Sequence, residues 1–164
     1  MNLFVVFRKE DESLELVTPP LDGMILPGVT RDSVLSLARS HAAGTLRIPK
    51  LTSKLSVSER GVTMNEVSEA VQSGRLVEMF GAGQFALLFF CILVFQLDIK
   101  GTAAIVSPVN KIGYQGRDVN IPVEADGMGP VSRALWTELM GRQTGEIESD
   151  WSVVVHEERA GRAS

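Results

Sequence analysis

"NLFVVFRKEDESLELVTPPLDGMILPGVTRDSVLSLA", residues 2–38, decides the fold. Two runs rich in β-branched and aromatic residues, Asn2 to Arg8 and Ser13 to Thr18, flank the charged turn KEDE, a pattern that predicts a hairpin opening the chain. The period then changes. Val34, Leu35, Leu37 and Ala38 recur at helical spacing, and Thr30 stands where an N-cap belongs, so a helix is expected from near Arg31.

Beyond this stretch, residues 42–53 form a connector containing Gly, Pro and Lys, and the alternating KLSVSER predicts a strand. Thr63 and Glu66 in TMNE form a capping box before a helix running to about Ser73, with Gly74 where a C-cap belongs. LVEMF (76–80) reads as a strand, and TAAIVSPVNKIGY (102–114) as a strand with a turn at its end. DGMGPVSRALWTELMGRQTG gives an amphipathic helix after Pro130, and WSVVV (151–155) closes the fold. Strands and helices are mixed without a repeating βαβ unit, so an α+β fold is expected rather than a doubly wound sheet.

The 164 residues fit one domain or a large part of one, long enough to bury roughly two thirds of the unfolded surface. Hydrophobic residues make up 45% and charged residues 22%, a balance that argues against disorder and against a fibrous repeat. Net charge is −4 and no Lys/Arg cluster forms the stripe that phosphate backbones require, so nucleic acid is not an expected partner. Cys91 is the only cysteine, which rules out an internal disulfide and a thiolate metal site within one chain. A reducing, intracellular compartment fits. His41 and His156 are isolated, so no metal site is expected, and the N-terminal residues lack the pattern of a signal or transit peptide.

Two short stretches could hold a phosphate. In Leu26-Pro27-Gly28-Val29-Thr30-Arg31 a glycine turn leads into a helix N-terminus, where free N–H groups and the helix dipole favour an anion. A Pro-Gly turn that merely enters a helix reads the same way. In Gly81-Ala82-Gly83 with Gly101-Thr102-Ala103-Ala104, small residues let a ligand approach the backbone and a hydroxyl can donate to phosphate oxygen. Neither stretch has the lysine of a Walker loop or the spacing of a dinucleotide-binding turn.

Taken together, NLFVVF, LELVTPPLDGMILPGVTRDSVLSLA, SERGVTM, GRLVEMFGAG, GTAAIVSPV and WSVVV closely resemble branched-chain amino-acid aminotransferases, pyridoxal phosphate enzymes of fold type IV. The run Asn2-Leu3-Phe4 through Leu16, Thr18 and Leu26 to Arg31 looks like most of the class IV aminotransferase signature. This resemblance implies a C-terminal large domain of mixed strands in an open pseudo-barrel flanked by helices, spanning residues 1–155, with a polar tail at 156–164. It implies pyridoxal 5′-phosphate as cofactor, with the phosphate on the backbone N–H groups of Val29 and Thr30, Leu26 against the pyridine ring and the Thr102 hydroxyl on the phosphate. Ala103 would offer a backbone N–H to the substrate carboxylate. Implied partners are branched-chain amino acids and 2-oxo acids including 2-oxoglutarate, and a homodimer in the full-length enzyme, in the cytoplasm or the mitochondrion. Ala104-Ile105-Val106-Ser107 stands where some members carry a redox CxxC, so that switch is not expected.

The family's Schiff-base lysine lies well before the NLF strand, and none of Lys9, Lys50, Lys54, Lys100 or Lys111 has its KxGGNY-like surroundings. No catalytic residue is therefore assigned, and the chain as written is not expected to transaminate. The glutamate that pairs with the pyridinium nitrogen would fall just before Met1. The expectation is a C-terminal portion, with Met1 an internal methionine. A non-catalytic binding or membrane-associated remnant is the alternative. Within the fold type, D-amino-acid aminotransferases and aminodeoxychorismate lyases match GRLVEMFG, TPPLDG and WSVVV less well.

Residues 84–101 do not belong to the family pattern, since their removal leaves FGAGTAAIVSP uninterrupted. The segment reads as a short unspliced intron carried through in frame, with a membrane span and a buried core strand or helix as the alternatives. Its apolar part, Phe85 to Phe95, would reach only about 16 Å as a helix against a hydrocarbon core of roughly 30 Å, so a membrane span is disfavoured. An uncharged, β-prone run without a partner face predicts poor solubility.

Overall fold

The computed structural model describes residues 1–51, 54–83, 106–125 and 127–153. Strands β1 (Asn2–Arg8) and β2 (Leu14–Thr18) form the expected opening hairpin, paired Val5 to Val17 and Arg8 to Leu14. Helix α1 (Val29–Ala42) then carries the chain to β3 (Leu55–Glu59), which lies parallel to β2. A parallel neighbour needs such a crossover, and α1 supplies it. Helix α2 (Met64–Gln72) leads to β4 (Leu76–Ala82), antiparallel to β1 on its other side, and β5 (Val106–Pro108) closes that edge. The five-stranded sheet runs β3-β2-β1-β4-β5. A separate two-stranded ribbon, β6 (Lys111–Tyr114) with β7 (Arg117–Asn120), precedes helix α3 (Pro130–Thr144). Mixed strands and helices of this kind make the chain α+β, as its sequence indicates.

The central strands β1 and β4 are buried on both faces, which is why FVVF and MFGA read as nearly continuous apolar runs. One face packs Phe4, Val6, Leu16 and Phe80 under α1 (Val34, Leu35, Ala38) and α3 (Val131, Leu135, Leu139). Phe4 and Phe80 are partners in the strand register and stack with ring centroids 5.2 Å apart. Removing either ring costs about 3–5 kcal/mol, as cavity formation adds to lost burial. The opposite face packs Val5, Phe7, Val17 and Met79 against Val67 and Ala70 of α2, with Ile112 and Val119 of the ribbon alongside.

Helix ends follow the local chemistry. The Thr63 hydroxyl accepts from the Glu66 N–H, and Gly74 takes the left-handed φ of 69° just past α2. Pro130 occupies the first turn of α3, where its missing N–H is no loss, and Gly145 ends the helix at φ 78°.

Other expectations change. Helix α1 starts at Val29, not near Arg31, and its N-cap is Gly28 without any side-chain cap bond. Thr30 is thus inside the first turn, because the Gly28 carbonyl already accepts from the Asp32 N–H. The strand expected over 102–114 is, within the described residues, two strands in different sheets. Pro108 ends β5 at the sheet edge, the Val109 N–H turns back to the Met79 carbonyl, and Lys111 starts the ribbon. That ribbon includes β7, which the sequence reading left out, joined through Gln115 and Gly116, both at positive φ. Finally, Trp151 to Val153 run irregularly, and Val154 and Val155 lie outside the described residues. So do Thr102, Ala103 and the whole of 84–101. Among the described residues no helix is long and apolar enough to cross a membrane.

Candidate functional site

Asn2 is the residue that brings the two small-residue stretches together. Its backbone pairs with Ala82 at the end of β4, while its side-chain Nδ2 donates to the Leu26 carbonyl at 3.0 Å. A Cβ on Gly28 would stand 2.6 Å from Asn2 Oδ1, so only glycine lets the turn close on this side chain. On the β4 side, Gly81 leaves space that Met1 fills, and Gly83 sits at φ 134°, a conformation side chains resist. The PGVT turn and the FGAG strand end, far apart in sequence, therefore flank one residue.

The signature residues each have a structural task here. Thr18 donates its hydroxyl to the Leu3 carbonyl at 2.7 Å, tying the end of β2 to the start of β1. Arg31, 3% exposed, donates from Nη2 to the Pro19 carbonyl at 2.9 Å and to Glu59 Oε2 at 2.6 Å. Its Nε has no partner among the described residues. Arg39 joins the same carboxylate from the next turns of α1. Hydrogen bonds from Arg31 and Arg39 hold the Glu59 carboxyl below the usual carboxylate range.

What remains at the mouth of the turn is a helix start with no side-chain cap and an apolar shelf. Leu26 is 81% and Val29 83% exposed, and Thr30 is half-buried. The N–H groups of a bare first turn attract an anion, and the exposed Leu26 offers a flat ring an apolar contact. This donor set suits a phosphate ester that carries an aromatic ring, and the closely packed Gly28 keeps the backbone accessible to it. The residues present fit pyridoxal 5′-phosphate in that sense. Leu26, Val29 and Thr30 lie in this one turn; Thr102 and Ala103, expected beside them, fall outside the described residues.

Lysines near the turn are not found among the described ones. Lys9 follows β1 at the end opposite Asn2 and donates to Ser56, Lys111 pairs with Asp118 in the ribbon, and the Lys54 carbonyl accepts from Leu14. Lys50 lines a hollow with Pro130 and Arg133 of α3.

Sequence reading missed the two acids buried among the described residues, Glu78 and Glu138, of which Glu138 pairs with Arg142 on α3. Glu78 of β4 is 2% exposed and accepts from the Val131 N–H at 2.6 Å and the Ser132 N–H at 3.2 Å, capping α3. Its only signal is a charge in an otherwise apolar strand, at the point where the register with β1 shifts.

No family profile matches the chain. Individual proteins do. The chain is 37% identical over 155 residues to the branched-chain-amino-acid aminotransferase of Monosiga brevicollis, covering 94% of this chain and 32% of that protein. It is 39% identical over 158 residues to the cytosolic branched-chain-amino-acid aminotransferase of Saccharomyces cerevisiae, covering 94% of this chain and 35% of that protein. With the mitochondrial branched-chain-amino-acid aminotransferase of Rattus norvegicus it shares 39% identity over 155 residues, 94% of this chain and 32% of that protein. The chain spans about a third of the length of the curated relatives it matches. Similarity at this level along nearly the whole chain identifies it with the part of the branched-chain-amino-acid aminotransferases that it spans.

Proposed function

We propose that this chain forms the cofactor-phosphate side of a fold-type IV branched-chain aminotransferase, which passes the amino group of valine, leucine or isoleucine to 2-oxoglutarate. The observation that carries the reading is the uncapped start of α1 held beside the FGAG end of β4 by Asn2. Val29 and Thr30 give their N–H groups to the phosphate, and Leu26 lies against the ring. Thr102 adds its hydroxyl to the phosphate, and Ala103 its N–H to the substrate carboxylate. Pyridoxal 5′-phosphate, when bound, supplies the electron sink that makes an amino acid's Cα proton removable. A lysine must move that proton, and none of this chain's lysines is assigned to it. The whole enzyme is proposed as a homodimer of the cytoplasm or mitochondrion.

Phosphate dependence is the direct test. In calorimetric titration of the purified chain, pyridoxal 5′-phosphate is expected to bind at least about tenfold more tightly than pyridoxal, since charge-assisted bonds to phosphate contribute about 1.5–3 kcal/mol. Equal affinity for the two would overturn the reading. The chain alone is expected to give no turnover of leucine with 2-oxoglutarate.

A further inference from the structure

The first turn of α1 has one buried side chain, Arg31; Val29 and Asp32 are exposed and Thr30 and Ser33 only half-buried. The helix body is seated in the core through Val34, Leu35, Leu37 and Ala38, but these begin a turn later. The segment before the helix offers little support, since Leu21, Met24 and Leu26 are exposed. Two residues therefore fix where the bare N–H groups stand. Asn2 holds the Leu26 carbonyl from the β1 side, and Arg31 reaches back to the Pro19 carbonyl after β2 and to Glu59, the last residue of β3.

We infer that Arg31 and Glu59 are a positioning pair: the ion pair of the buried Arg31 with the more exposed Glu59 sets the height of the α1 N-terminus over the sheet, and so the affinity of the turn for a phosphate group. This rests on the proposed function above. Neither residue needs to touch the ligand. Arg31 holds two acceptors on two different strand ends with one guanidinium nitrogen, a geometry that fails if Glu59 withdraws. With its Nε unpartnered among the described residues, Arg31 would then be a buried cation short of acceptors, and the first turn would shift to relieve it.

A purely electrostatic account makes the opposite forecast, which allows a clean test. Glu59 is a negative charge near a site for anions, so removing it should strengthen phosphate binding if charge alone matters. The measurement is the ratio of affinities for pyridoxal 5′-phosphate and pyridoxal, by calorimetry on the full chain. Taking this ratio cancels a loss of folded protein common to both titrations. In Glu59→Gln the ratio is expected to fall about fivefold or more; in Glu59→Asp, which keeps the charge but shortens the reach, it is expected to fall similarly. A ratio that stays level or rises in Glu59→Gln, or stays level in Glu59→Asp, overturns the inference. Should Glu59→Gln not fold, Glu59→Asp decides. If the unmodified chain fails to distinguish the two ligands, the functional reading itself fails, and the inference with it.

Discussion

Glu78 places a carboxylate where strand alternation would put another Phe or Val. Burial pushes its pKa up, against the hydrogen bonds from Ser132 and Val131 that favour the charged form, and Glu124 adds to the rise. A folded-state pKa above the unfolded value means that the native chain holds this proton more firmly. The stabilisation is fully present below the ordinary carboxylate pKa of 4.5 and is lost as pH rises through the raised value. Glu78→Gln cannot ionise, so its thermal midpoint is expected to improve relative to the parent chain between about pH 4.5 and 8. Melting curves at several pH values check this, and a constant offset across the range would refute it. At this scale the sequence was legible where residues form a recognisable spacing: Asn2, Thr18 and Leu26 to Arg31 all take defined places in the structure. Glu78 was not legible, because its partners are backbone N–H groups 53 and 54 positions away and backbone leaves no mark on residue type.

Two helices show what capping chemistry does and does not reveal. The sequence TMNE promises a reciprocal box, yet only half of it forms. Thr63 accepts from the Glu66 N–H at 3.2 Å, while the Glu66 carboxylate turns to Arg60 at 2.8 and 3.1 Å. Arg60 also reaches Glu15 at 3.3 Å and lies over the Phe7 ring, an arrangement no local spacing could announce. Thr63→Ala removes the remaining half and is expected to cost about 1 kcal/mol, lowering the melting temperature by roughly 2–4 °C for a chain of this size. An unchanged melting temperature would assign the helix start to the Arg60–Glu66 pair instead. By contrast α1 has no side-chain cap, and this absence is what the proposed phosphate site uses. Thr30 looked like the cap because it precedes the apolar period; the core contacts begin later than the helix does. The division of 102–114 was hidden for a similar reason, since an apolar run tells of burial but not of which sheet buries it.

At the scale of the whole molecule, the sheet itself bears on the segment 84–101. Ala82 of β4 and Val106 of β5 are antiparallel neighbours in register, and Ser107 and Pro108 follow opposite Gly81 and Phe80. Strands so paired need only a short hairpin connection. Without residues 84–101 the link would be Gly83 followed by 102–105, a loop of ordinary hairpin length that demands no change in either strand. Among the described residues, β4 is anchored by Phe80 on Phe4, and β5 by Val106 within the cluster under α1 and α3. We therefore expect the chain lacking 84–101 to keep its fold, with a melting temperature at or above that of the parent. Loop shortening alone contributes roughly 1–1.5 kcal/mol. Its soluble yield should rise, because the uncharged run Phe85 to Phe95 is the stretch of this sequence best suited to intermolecular β pairing. Deletion should also tighten pyridoxal 5′-phosphate binding if the proposed role of Thr102 holds, since Thr102 would then follow Gly83 directly in the chain. Parallel expression and titration of the two chains would check all three effects. A deleted chain that is insoluble or unfolded would show that 84–101 belongs to the fold, whereas one that folds but binds no better would leave the hairpin standing and remove Thr102 from the phosphate site.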